Sequence, residues 1–153
     1  MITLPDADAT RDFGARLARM LRPGDVIVLT GPLGAGKTTL TQGIGEGLDV
    51  RGRVTSPTFT ISRIHPSRSG APDLVHVDAY RLTGLLDLET IDLDASIPET
   101  ITIIEWGEGL IDELGVDYLQ VTLDRSDDER RLATLTPVGA RWESVPWEEL
   151  ARP

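Results

Sequence analysis

Apolar positions in the first third of the chain follow two different rhythms. Within residues 7–21, Phe13, Leu17, Met20 and Leu21 recur at i, i+4, i+7 and i+8, which predicts a helix with one buried stripe. Pro23-Gly24 ends that helix. VIVLT at 26–30 then runs apolar without alternation, the pattern of a strand buried on both faces of a parallel sheet. Beyond Lys37, helical spacing returns, with Leu40, Ile44 and Leu48 on one face. Gly43 and Gly45 lie inside this second helix, where each costs about 1 kcal/mol relative to Ala, so close packing is required to tolerate them.

Further along, residues 58–64 and 74–78 read as strands on either side of HPSRSGAP (65–72), a Pro-, Ser- and Gly-rich loop expected to be mobile. ITIIE (101–105) predicts a second buried parallel strand. YLQVTL (118–123) and RLATLT (131–136) flank an acidic turn and predict an antiparallel hairpin, and WEELA near the end predicts a helical turn or two. Strands alternating with helices, then a hairpin, make an α/β domain with a mixed sheet.

The length of 153 residues fits one domain spanning 1–153, and 40% apolar with 26% charged residues fits a folded, soluble chain. No apolar run approaches a membrane span. The opening MITLPDADATRD has no basic region ahead of an apolar one, so no secretory signal is expected and a cytoplasmic location is the default. Cysteine is absent, which excludes disulfides and thiolate metal sites. A net charge of −10 argues against a large direct nucleic-acid footprint. The charge is uneven. Residues 51–70 carry four arginines and no acid, whereas 73–117 carry twelve acids against Arg81, blocks that serve as solvated faces or as a docking surface.

Lys37 is the only lysine; all 14 other fixed positive charges are arginine. It lies in GPLGAGKT, a match to G-x-x-x-x-G-K-[ST] between a predicted buried strand and a predicted helix, the setting that identifies a P-loop. The glycines let successive backbone N–H groups turn inward on phosphate oxygens, and the helix adds its positive end. A lysine ammonium is a compact point charge that fits inside such a loop, which the wide guanidinium fork does not. Gly31, Gly34, Ala35, Gly36, Lys37, Thr38 and Thr39 are therefore the expected phosphate cradle, with the Thr38 hydroxyl on Mg²⁺. The expected fold is P-loop NTPase-like, a mostly parallel central sheet flanked by helices with an antiparallel C-terminal hairpin.

Such a site needs an acid at a neighbouring strand end. Asp78 closes LVHVD and Glu105 closes ITIIE, so one can hold Mg²⁺ while the other orients water. Thr58, within SPTFT, is either a switch hydroxyl or part of a Ser-Pro turn. Arg81 fits a surface salt bridge better than an arginine finger, and His65 and His76 lack metal-ligand spacing and read as ordinary strand residues. Trp106 admits three roles: core aromatic, cover over the site, or partner anchor.

Together GPLGAGKTTLTQGIGEGL, VTSPTFTI, HVDAYRL and IIEWGE, in that order, resemble the TsaE (YjeE) family. The resemblance implies a Mg²⁺-dependent ATPase, slow alone, that works with TsaB and TsaD in threonylcarbamoyl-adenosine formation on tRNA, touching tRNA only through the complex. It carries an essential acid onto Asp78, a metal role onto Glu105 with Trp106 beside it, a switch role onto Thr58, and nucleotide lining onto Thr10 and either Arg130 or Arg131. The family often has Asp where this chain has Pro32, a position early enough in the loop for little effect. Two other readings remain: a small P-loop metabolite kinase, and a nucleotide-binding assembly protein without hydrolysis. GTP specificity is disfavoured, since a chain with one lysine has no [NT]-K-x-D guanine reader.

Overall fold

The computed structural model describes residues 2–32, 34–50, 52, 54, 62–78, 97–105, 111, 115–126, 128 and 130–150. Its strands are β1 (Ile2–Leu4), β2 (Val26–Thr30), β3 (Ser62–His65), β4 (Leu74–Asp78), β5 (Ile101–Glu105), β6 (Tyr118–Arg125) and β7 (Arg131–Val138). Among the described residues these form one sheet of order β1-β7-β6-β2-β5-β4-β3. β2 pairs in parallel with both β5 and β6, and β5 with β4, so the four central strands share a direction. Antiparallel strands extend both sides: β7 on β6, β1 on β7, and β3 on β4. The expected parallel centre with a C-terminal hairpin is what the chain forms.

Burial explains the unbroken apolar runs. Ile27 and Leu29 of β2 face one way, packing with Ile103 against Phe13 and Leu17 of helix α1 (Ala7–Ala18) and Leu40 and Ile44 of helix α2 (Lys37–Gly47). Val26 and Val28 face the other way, into a second cluster with Val75, Val77 and Ile104. Burying one such side chain stabilises the fold by roughly 1.5–3 kcal/mol relative to leaving it in water. Asp6 caps α1, its Oδ1 accepting from Ala9 N–H at 2.8 Å.

The glycines inside α2 have a steric cause. A Cβ on Gly43 would overlap the Arg11 carbonyl of α1, and one on Gly14 of α1 would lie 2.5 Å from the Leu40 carbonyl of α2. The two helices therefore touch backbone to backbone. This contact fixes where the α1 side chains stand relative to the start of α2.

Some boundaries differ from the expectation. β1 is too short for its pattern to be read, and the hairpin strands run on to Arg125 and Val138. The 65–72 loop is anchored rather than loose: Ser67 Oγ donates to Leu48 O (2.8 Å), Ser67 N–H to Asp73 Oδ1 (2.8 Å) and Arg68 N–H to Asp49 O (2.8 Å). Residues 58–61 of the anticipated strand lie outside the described residues. The WEELA segment forms a short helix α3 (Trp147–Leu150), whose Leu150 carbonyl accepts from Arg16 Nη1 at 2.7 Å. Just before it, Arg141 lays its fork on buried Asp25, with Nε–Oδ1 at 2.7 Å and Nη2–Oδ2 at 2.8 Å. No helix among the described residues is long and apolar enough to cross a membrane.

Gly43→Ala should lower stability by about 1–3 kcal/mol in urea unfolding, the range for overpacking, even though Ala is favoured over Gly within a helix. Unchanged or raised stability would mean that the two helix backbones do not meet.

Candidate active site

Because the central strands are parallel, the carboxyl ends of β2, β4, β5 and β6 share one edge of the sheet, where open α/β sheets take their ligands. Register decides what meets there. Glu105 stands opposite Leu29 on one side and Asp78 on the other, in strands about 4.8 Å apart. β6 ends on Arg125, whose antiparallel partner is Arg131 at the start of β7.

β2 runs directly into the glycine loop. At Gly31 the backbone passes so close to the Leu123 carbonyl that a Cβ would overlap it. Ala35 N–H donates to Pro32 O at 3.1 Å, so Pro32 contributes to the turn through its carbonyl. Gly36, at φ 102°, is the N-cap of α2 and adopts a left-handed conformation that disfavours any side chain. Leu40 N–H donates to Gly36 O at 2.9 Å, closing the first helical bond. The amides of residues 36–39 come before it and have no i−4 partner within the helix. No side chain caps α2 and no acid lies in its first turn, so its positive end is left to an incoming anion.

Lys37 is buried at 6% exposure, and its Nζ donates to Gly31 O at 2.7 Å. A buried ammonium is costly unless hydrogen-bonded, and this bond holds it within the loop. Thr38 and Thr39 are the second and third residues of α2, both half-buried.

Three more side chains border the loop. A Cβ built on Gly36 would lie 3.7 Å from both Arg131 Nε and Thr10 Cγ2, and one on Gly34 would lie 3.6 Å from Arg125 Nη1. Thr10 is itself buried, its hydroxyl donating to Asp6 O at 3.1 Å. Arg125 and Arg131 stand directly opposite each other in the hairpin, so two guanidinium groups flank the loop. Arg130 is placed differently. It is exposed and paired with Asp128 at 2.6 Å. The Arg130 guanidinium, and then the Ser126 hydroxyl, hold the Asp128 carboxyl down at about 2. Of the two neighbouring arginines, the structure brings Arg131 to the loop.

Glu105 is buried at 5% exposure, with Oε2 2.7 Å from Nε2 of the fully buried His76. Thr38 and Glu105 offer a hydroxyl and a carboxylate, the hard oxygen donors that suit Mg²⁺. Among the described residues no group of three or more His, Asp or Glu side chains is placed to hold a metal. A cation here would complete its shell from substrate oxygens and water, as Mg²⁺ commonly does. Of Asp78 the backbone position alone is described, and Thr58, Trp106 and Arg81 lie outside the described residues.

Sequence reasoning missed two residues. His76 reads as an ordinary strand residue in the sequence, because the register that sets it diagonal to Glu105 depends on which strands are neighbours. Arg125 belongs to no motif, and nothing in the sequence places the end of β6 beside Gly34.

Known proteins resemble this chain over most of its length. The model of a family described as "Threonylcarbamoyl adenosine biosynthesis protein TsaE" matches residues 4–133. A Streptomyces coelicolor protein named tRNA threonylcarbamoyladenosine biosynthesis protein TsaE is 53% identical over 146 residues, covering 92% of this chain and 99% of the relative. A Bacillus subtilis protein of the same name is 38% identical, covering 95% and 89%. The crystal structure of Bacillus subtilis YdiB superposes with a TM-score of 0.78 at 34% identity, covering 98% of this chain and 92% of that one.

Beside His76, buried His65 has its pKa pushed below the usual imidazole range, first by burial and then by the His76 and Arg63 charges. The unfolded chain therefore takes up this proton first as pH falls below about 6.5, so the stability His65 confers is complete above that pH and is lost on acidification towards its folded pKa. Urea unfolding of His65→Leu should show a shallower loss of stability between pH 7.5 and 5.5 than the parent. Equal slopes would contradict the assignment.

Proposed function

Because the chain belongs to the TsaE family, we propose that it binds ATP with Mg²⁺ and hydrolyses it in support of threonylcarbamoyl transfer to adenosine in tRNA, as a switch regulated by TsaB and TsaD. The observation that carries this reading is the buried Lys37 ammonium inside a glycine loop, with Glu105 ending the adjacent strand. A buried cation in a cradle of open amides is built for a polyanion. The family name supplies the pathway.

In this reading the amides of residues 36–39 and the α2 N-terminus grip the β- and γ-phosphates, and Lys37 adds a point charge that moves with them. Thr38 and Glu105 would hold Mg²⁺, which would supply positive charge against the phosphates. Asp78, one strand from Glu105, orients a water at the γ-phosphorus. Attack forms the new P–O bond as the bond to the bridging oxygen breaks. Charge gathers on the departing ADP, where Lys37 and the loop amides stabilise it, and the water's proton ends on the released phosphate. No covalent intermediate is needed, because positioning and fixed dipoles supply the catalysis. Arg125 and Arg131 hold the nucleotide from the hairpin side. A net charge of −10 leaves tRNA contact to the partners, in the cytoplasm.

Phosphate release from ATP should be slow for the chain alone and faster with TsaB and TsaD together. Lys37→Ala and Lys37→Arg should each reduce it by at least about tenfold, roughly 1.4 kcal/mol in the barrier. No release in any mixture, or label passed to a metabolite instead of water, would overturn the proposal. Calorimetric titration with a non-hydrolysable ATP analogue should find Arg125→Ala and Arg131→Ala weakened by about tenfold, as for loss of a charge-assisted bond, and Arg130→Ala within about twofold. A larger loss at Arg130 would move the nucleotide towards the hairpin tip.

A further inference from the structure

We propose that His76 is a positioning residue for Glu105, fixing the carboxylate so that one oxygen belongs to the sheet and the other to the metal; this rests on the reading of Glu105 as a Mg²⁺ ligand. Three observations converge on it. The parallel register sets Asp78 opposite Glu105, and hence His76 opposite Ile103, so His76 reaches Glu105 diagonally from the neighbouring strand. Both side chains are almost wholly removed from water, at 0% and 7% exposure, and their contact is 2.7 Å. A carboxylate buried to that degree is costly without a donor, and this ring supplies one.

The third observation is the cost of the ring itself. Its other nitrogen, Nδ1, is buried with no hydrogen-bond partner among the described residues. At the same depth of the sheet Leu74, Ile101 and Ile103 are apolar and fully buried, so the core alone gives no reason for an imidazole there. A carboxylate oxygen accepts, so the ring Nε2 donates to Oε2. The hydrogen bond ties Oε2 to β4, and rotation of the carboxylate about its last torsion is blocked. Partners of this kind, one step out from a metal, orient the ligand and raise affinity.

The test uses the full chain loaded with a non-hydrolysable ATP analogue, with Mn²⁺ as the probe read by electron paramagnetic resonance. His76→Asn keeps a polar group but places its amide nearer Nδ1 than Nε2, whereas His76→Gln extends a donor to the Nε2 position. Mn²⁺ affinity should fall about 10- to 100-fold in His76→Asn, the usual cost of losing such a partner, and recover most of that loss in His76→Gln. Affinity for the analogue in EDTA should stay within about twofold of the parent in both, since the phosphate grip lies on another strand. A folded His76→Asn that binds Mn²⁺ like the parent, or a His76→Gln no better than His76→Asn, would overturn the role. A parent that binds the analogue with no Mn²⁺ bound would instead remove the metal role of Glu105 and this inference with it.

Discussion

The register of the parallel strands β4, β5 and β2 is the constraint on which the site depends. Asp78, Glu105 and Leu29 lie side by side, and the residue after next from Leu29 opens the glycine loop. Side chains alternate along a strand, so a slip of β5 by one position would send Glu105 to the opposite face, beside Val28 and Val77. The slip would also carry Ile103 to that side and turn Ile104 inward. The same apolar burial that holds the sheet together therefore fixes Asp78 and Glu105 as neighbouring positions on the edge where β2 enters the loop.

Around that register the chain accepts costs that a core built for stability alone would avoid. An ammonium is buried against a backbone carbonyl, and a carboxylate is buried against an imidazole with an orphaned nitrogen. Glycines stand inside both packed helices. Each feature is local and each converges on one edge. The glycine contact brings α1 close enough that Thr10 reaches Gly36, and the long hairpin carries Arg125 and Arg131 to the other flank of the loop. Away from this edge the chain is conventional, with alternating apolar faces and a buried Asp25–Arg141 pair fixing the C-terminal segment.

The sequence made legible whatever was written in consecutive residues. VIVLT and ITIIE announced buried parallel strands, the Gly31–Thr38 motif announced the cradle, and Gly43 announced a close packing that the structure locates at the Arg11 carbonyl. Asp78 and Glu105 could be named as strand-end acids because each closes an apolar run. What stayed hidden depends on which strands become neighbours. His76 looked like any strand residue, since its partner lies 29 positions away. Arg130 and Arg131 could not be separated, because one residue's shift at the start of β7 decides which side chain meets the loop and which pairs with Asp128. β1, at three residues, carried too little pattern to register.

The most direct measurement is a crystal structure of the chain with Mg²⁺ and a non-hydrolysable ATP analogue. A triphosphate lying within residues 31–39, with Lys37 on its β- and γ-phosphates and the metal between Thr38 and Glu105, is the expected result. A nucleotide bound elsewhere with the glycine loop empty, or a metal lying away from Glu105, would contradict it.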